Sequence, residues 1–489
     1  MSVVVLDIGS SSLRSSIVTS DGRVKVVASE TLSVVTEGAF RIEYDANAIA
    51  QSATNVLEEA ISSHPAQLRG LAITTQRATS VIWSRSQRLA LAPAISWQDL
   101  RTSTTCLALG SVGIAIAPNE SGTKYAHLLG QISDQDSDDL ALGTLDSWLA
   151  FYLGAGHITD TTNVAMSGLT TTDISGYDPI RLKALGIEQR LLPSIAPSYG
   201  ELGVTKHLSK ALPLLCLIGD QQSSLFGQQC YMPHHAKATL GTGVMIDVNL
   251  GASPPKFERR GEHGSYRIPV LGTQDSILWG VEGALLSGGS SLEWFRSTFL
   301  NGAAVEDVGR YASKANPLDE CIFVPALSGL ATPDWDFGAR GVFLGVSRNT
   351  GRSELANALL QGIAHSVADI VEAIERDTAK EIEILRVDGK MTQSSELLQY
   401  ISDYAGVTVQ LSNEIEATSL GAGMLANMFL EGVHNVTTYQ SSRPYSYRAS
   451  LGPKLERGSK DHKHIRQRWQ QAKELSRFQI PALSQVKFQ

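Results

Sequence analysis

The stretch Ile218-Gly219-Asp220-Gln221-Gln222-Ser223-Ser224, followed by Ala238-Thr239-Leu240-Gly241-Thr242-Gly243, decides how this chain is read. The first places a carboxylate on a tight glycine turn after the apolar run Leu214, Leu215, Leu217 and Ile218, which suits a general base at the end of a strand. The second offers backbone N–H groups and hydroxyls to phosphate oxygens, because glycine lets the backbone approach closely and threonine adds a donor. Alone, each is also an ordinary turn. Together they point to phosphoryl transfer.

Working outward, Val3-Val4-Val5-Leu6 reads as a buried strand, and Asp7-Ile8-Gly9-Ser10-Ser11-Ser12-Leu13-Arg14 as a turn into a second strand, Ser15 to Ser20, closed by Asp21-Gly22. Such a hairpin is either a plain polar turn or a cradle for a polyphosphate. In the second case Ser10, Ser11 and Ser12 donate, Arg14 neutralises, and Asp7 holds Mg²⁺ through water. From Asp45 the residues Ile49, Ala53, Val56, Leu57, Ala60 and Ile61 recur at helical period, with Asp45 as N-cap. Gly70 to Thr75 is the next strand. It delivers Gln76 and Arg77, a pair able to bond a substrate hydroxyl. Ala94 to Thr102 adds the aromatic Trp97 and a second acidic candidate, Asp99.

At 489 residues the chain exceeds what one hydrophobic core serves, so two large domains are expected. A net charge of −8 without a basic cluster argues against nucleic acid and for a small ligand. Cys106, Cys216, Cys230 and Cys321 show no metal-ligand spacing and read as buried thiols of a reducing cytosol, so a cytoplasmic protein is expected. The N-terminal apolar run ends at Asp7 and is not a signal peptide. No run approaches the ~20 residues that span a bilayer, so no membrane partner is expected.

In order along the chain, Asp7-Ile8-Gly9-Ser10-Ser11, Gln76-Arg77, Trp97-Gln98-Asp99-Leu100-Arg101, Ser121-Gly122-Thr123-Lys124, Gly219-Asp220-Gln221-Gln222 and Gly241-Thr242-Gly243 form a series. It continues through Glu282-Gly283, Gly288-Gly289-Ser290-Ser291, Val387-Asp388-Gly389 and Glu416-Ala417-Thr418-Ser419-Leu420-Gly421. The series resembles the FGGY family of carbohydrate kinases, glycerol kinases most of all. The resemblance implies an α/β fold of two actin-like, hexokinase-like (ribonuclease H-like) domains, mixed sheets flanked by helices with a nucleotide cleft between them. It is consistent with the glycine-rich turns near the start of each half, at Gly9 and Gly241. We expect an N-terminal kinase domain over 1–228, a nucleotide-binding C-terminal domain over 229–440, and a polar helical tail over 441–489. In the second half, Ser353 reads as the cap of a core helix through Leu355, Leu359, Ile363, Val367, Ile370 and Ile374.

The implied activity is ATP-dependent transfer of the γ-phosphate, with Mg²⁺, to a hydroxyl of a small polyol or sugar. Asp220 would be the catalytic base. Gln76, Arg77, Asn119, Asp220, Gln221 and Met245 would hold the substrate. Ser10, Ser11, Ser12, Arg14, Gly241, Thr242, Gly289, Glu293, Gly389, Lys390 and Ser394 would hold the nucleotide. Homodimers and homotetramers are common in the family. Departures from glycerol kinases fall at Ala78 in place of Glu, Asn119 in place of Tyr and Met245 in place of an aromatic, so the expected substrate is a larger polyol or a ketose rather than glycerol. Lys390 replaces the second glycine of Asp-Gly-Gly and Glu293 replaces a Gln, which leaves a catalytically silent sugar- or nucleotide-binding regulator as the alternative. An ATPase machine of the actin or chaperone type would leave Gln76-Arg77 and Trp97-Gln98-Asp99 without a purpose.

Overall fold

The computed structural model describes residues 2–38, 41–64, 68–132, 137–302, 304–316, 319–441 and 446–484. Its first half is built on a six-stranded sheet in the order Tyr199–Val204, Pro213–Gly219, Leu68–Thr75, Ser2–Ile8, Ser12–Thr19, Val24–Thr31. Every residue of Ser2–Ile8 is buried, as a strand covered on both faces requires. Below it lies the helix Ala46–Ser63. Its Asp45 cap accepts from Asn47 N at 2.9 Å and Ala48 N at 3.0 Å, and its Ile49, Val56 and Leu57 join the core of the sheet.

The second half repeats the plan. From Val24–Thr31 to Tyr199–Val204 the first sheet pairs antiparallel, antiparallel, parallel, parallel, antiparallel. From Ile277–Leu285 through Val244–Gly251, Ala236–Leu240, Ile384–Asp388 and Thr408–Ser412 to Tyr447–Leu451 the second sheet pairs in the same sequence. One further strand, Tyr266–Gly272, is added outside Ile277–Leu285. The repeat is one of topology, visible once the strands are paired.

Each half closes its sheet with a helix that follows the last parallel strand, Asp220–Gly227 in the first and Ala417–Leu430 in the second. These two helices pack against each other across the halves. Contact is backbone to backbone: a Cβ on Gly421 would lie 1.8 Å from Ser223 O, and one on Gly227 1.9 Å from Ala417 O. Ala417–Leu430 continues under the first sheet, against Ser2–Ile8 and Leu68–Thr75, while Asp220–Gly227 reaches Ala236–Leu240 and Val244–Gly251.

Two details differ from the sequence reading. The long core helix spans Arg352–Thr378 and is capped at Gly351, whose N–H donates to Glu354 Oε2 at 2.9 Å. Ser353 thus lies in the first turn rather than at the cap. The segment after 440 is helical over Lys460–Ser476, but it is no plain surface helix. Trp469 is fully buried, and its Nε1 donates to Asp369 Oδ2 at 2.9 Å. Lys473 Nζ donates to the same carboxylate at 2.9 Å, and Arg466 donates to its other oxygen. His365 lies between Tyr404 and Trp469 in a stack, at 4.0 and 5.0 Å. Residues 442–445 and 485–489 of this segment lie outside the described residues.

Candidate active site

The first hairpin brings Asp7 and Arg14 opposite each other as register partners, with Arg14 Nε 3.6 Å from Asp7 Oδ2. Arg14 also donates to Glu416, just before the helix Ala417–Leu430. The guanidinium expected to face phosphates is therefore already held by two carboxylates. Ser419 Oγ donates to Asp7 Oδ2 at 3.3 Å. Burial lifts the Asp7 pKa from 3.8 to about 6; Arg14 opposes the rise, and the Asp220 and Glu416 charges add to it. Three carboxylates thus share one electrostatic field. Gln76 Nε2 donates to Gly9 O at 3.2 Å, and Gln76 Oε1 is buried without a partner. The hydroxyls of Ser10, Ser11 and Ser12 have no partner among the described residues, whereas the Ser10 carbonyl accepts from Tyr44 Oη at 3.0 Å.

Asp220 opens its helix directly after the strand Pro213–Gly219. Gly219 is required there: a Cβ would stand 2.8 Å from Arg77 Cγ and Cδ, so the arginine passes over the glycine. Arg77 Nη2 donates to Glu282 Oε2 at 2.6 Å, across the two halves, and its Nη1 is buried without a partner. Burial raises the pKa of Asp220, Arg77 and Lys237 hold it down, and Asp247 pushes it up. Glu282 is pushed up to about 7, chiefly by burial. Gln221 Oε1 accepts from Lys237 Nζ at 2.6 Å. Asp99, the second acidic candidate, is fully buried and is spent on Ile42 N at 2.7 Å and on Arg101, so it holds structure.

On the other side of the cleft, three backbone segments meet at the second hairpin. Gly289 N donates to Gly241 O at 2.9 Å and Ser290 N to Thr242 O at 3.0 Å. A Cβ on Gly289 would lie 2.5 Å from Gly241 O. Gly389, at φ +94°, would bring one within 2.5 Å of Leu240 O. Thr242 and Lys390 are exposed beside this junction. Two residues expected at the nucleotide are occupied otherwise. Ser394 is buried and caps the helix Ser395–Ala405, accepting from Leu397 N at 3.2 Å. Glu293 is exposed and pairs with Arg296 at 2.6 Å.

A cavity of about 460 Å³ lies between the halves, lined among others by Trp97, Gln98, Asn119, Met245 and Glu282. Asn119 and Met245 thus line one cavity. Ala78 is not among the lining residues. It is buried, with φ +59°, so it opens no space in the cavity.

The sequence reading missed the buried pair Lys237–Asp247, 2.8 Å apart and both essentially inaccessible. A signal was present, since the two lie equidistant from the Gly241-Thr242-Gly243 turn and are register partners in its hairpin. Glu282 and Glu416 stood in quoted motifs, yet their partners Arg77 and Arg14 are remote in sequence. Nothing local announces those pairs.

Among the described residues no group of three or more His, Cys, Asp or Glu side chains could hold a metal alone. The fit to a nucleotide rests on the close backbone junction, the free serine hydroxyls and the unpartnered Gln76 and Arg77 atoms. The shared field of Asp7, Asp220 and Glu416 suits a cation bound through water and phosphate.

Residues 2–227 match the N-terminal domain, and residues 236–430 the C-terminal domain, of the FGGY family of carbohydrate kinases. The chain is 34% identical over 450 residues to a glycerol kinase of Aromatoleum aromaticum, covering 87% of this chain and 89% of that protein. It is 31% identical over 447 residues to a glycerol kinase of Shewanella woodyi, covering 87% and 90%. Its fold matches a Plasmodium falciparum glycerol kinase solved with ADP, with a TM-score of 0.86 and 26% identity over 97% of this chain and 98% of that one. A xylulose kinase from Lactobacillus acidophilus shares the fold, with a TM-score of 0.83 at 18% identity over 97% of each chain. The expected two-domain α/β kinase fold is borne out. With both family domains matched in order across most of its length, the chain belongs to the FGGY family of carbohydrate kinases.

Proposed function

We propose that the protein transfers the γ-phosphate of ATP to a hydroxyl of a polyol or sugar larger than glycerol, with Asp220 as the base. The observation that carries this reading is the placement of Asp220. It opens a helix that packs across the two halves, its carboxylate receives, among the described residues, the neighbouring Gln221 N–H at 2.8 Å, and Arg77 and Lys237 both hold its pKa down. Asp220 would take the hydroxyl proton as the substrate oxygen bonds the γ-phosphorus and the bond to the β-phosphate oxygen breaks. Arg77 Nη1, buried and unpartnered, is available to a substrate oxygen. Gln76 Oε1 can accept a hydroxyl or bind a cation's water.

Bound Mg²⁺·ATP would supply the phosphoryl group and the charge that neutralises its transfer. Ser10, Ser11, Ser12 and Thr242 would orient phosphates, and Gly241, Gly289 and Gly389 would admit the nucleotide close to the backbone. Asp7 would hold the cation through water. Arg14 acts at second hand here, fixing Asp7 and Glu416. No observation favours the silent-regulator alternative. Four free, buried thiols support a reducing compartment such as the cytoplasm.

The test is ADP release with Mg·ATP against C3 to C6 polyols and ketoses. Asp220→Asn should abolish turnover while leaving nucleotide binding near that of the parent. Turnover within tenfold of the parent would remove Asp220 as the base.

A further inference from the structure

The cavity beside Asn119 and Met245 is much larger than a three-carbon polyol needs, and falls in the range of about 300–1,000 Å³ that enclosed organic ligands occupy. Four arginines line it, and three are committed to fixed acceptors. Arg181 Nη1 donates to Ala115 O at 2.8 Å and Gly168 O at 3.0 Å. Arg259 donates to Ala115 O and to Glu120, across the two halves. Arg340 Nη1 donates to Phe337 O at 2.9 Å and Ala339 O at 2.6 Å.

Arg267 is different. Its guanidinium stands 3.9 Å over the ring of Trp279, and its Nε is buried without a hydrogen-bond partner. No ion pair holds it among the described residues; Glu258 and Asp173 act on it through space alone. Trp279 packs with Val164 and Ile174, so the platform beneath the cation is fixed. A guanidinium held over an indole face, with donors left over, is preorganised for a forked anion. Glu282, which holds Arg77, lines the same cavity, so the enclosure that the stacked cation lines extends to the ion-pair partner of Arg77.

Resting on the kinase reading above, we propose that the acceptor is an acidic sugar derivative, bearing a carboxylate or phosphate away from the hydroxyl that is phosphorylated, and that Arg267 on Trp279 selects it. A neutral polyol leaves the Arg267 donors unmatched, whereas an anion satisfies them.

Calorimetric titration of the full chain with Mg·ADP, using matched pairs, tests this. Xylonate against xylitol and gluconate against glucitol form the carboxylate arm, and xylulose 5-phosphate against xylulose forms the phosphate arm. In at least one arm the anion should bind about tenfold or more tighter than its neutral partner. Arg267→Met should bring that ratio to within twofold, and Arg267→Lys should restore part of it. The arm that responds identifies the anion. Equal binding within every pair, no binding of any anion, or a ratio unchanged in Arg267→Met would overturn the assignment. ADP release from Mg·ATP, followed on the same compounds, separates the two readings. Selective binding without release would sink the kinase reading and leave the anion subsite standing.

Discussion

Replacing Asp7 by asparagine should make the ligand-free protein more stable while removing its activity. Asp7 is 4% exposed, and its pKa rises from 3.8 to about 6, so the folded state holds the proton more tightly than the unfolded chain. At about 1.4 kcal/mol per pH unit, ionising Asp7 costs the folded state ~3 kcal/mol. The sign follows from proton binding: below about pH 4 the cost is absent, it grows as pH rises through the window from 3.8 to about 6, and above that it is constant. About half is present at pH 5. The neutral amide of the variant carries none of it, and Arg14 keeps Glu416 as its partner. Thermal unfolding of both proteins without nucleotide, at pH 5 and pH 7.5, is the assay. Asp7→Asn should melt higher at both, with the gain at pH 7.5 about twice that at pH 5, and it should release no ADP from Mg·ATP. A gain independent of pH, or a loss at pH 7.5, would refute the charge argument.

Two further outcomes follow from buried contacts. Lys237→Met leaves the buried Asp247 without its ion-pair partner, so about 3–5 kcal/mol of stability should be lost in chemical denaturation, with most of it recovered in Lys237→Met/Asp247→Leu. Because Lys237 holds the Asp220 pKa down, the same variant should move the acid limb of kcat/KM to higher pH if Asp220 is the base proposed above, and an unmoved limb would count against that pairing of roles. Gly421→Ala places a Cβ against Ser223 O and should lower the melting temperature sharply. Gly110→Ala, with nothing within 4 Å, should raise it slightly; similar effects from the two would show that the helix crossing tolerates spreading.

The two hairpins were legible because apolar runs end at glycine turns flanked by a carboxylate or hydroxyls, a signal carried within about a dozen residues. What joins them was not. Arg77 and Glu282 lie 205 residues apart, and Arg14 and Glu416 402 apart, and in each case only strand pairing across the whole chain creates the contact. The Lys460–Ser476 helix misled for the same reason. Its Arg466 and Lys473 look like solvent-facing charges until Asp369, in the middle of an apolar helix, is found beneath them. Ser394 and Glu293 were carried over by motif order, but a helix N-terminus and a neighbouring arginine already claim them.

The crossing of Asp220–Gly227 with Ala417–Leu430 stands where an axle would, were the two halves to turn on each other. Asp220 is the first residue of one helix, and Glu416 immediately precedes the other. Points beside an axle travel least when two plates turn about it, and points at the far rim travel most. Asp220 and Glu416 would therefore be displaced least by such a turn. The Arg259–Glu120 contact, which also joins the two halves beside the cavity, would have to part in such a turn, while the surroundings of Asp220 would stay together.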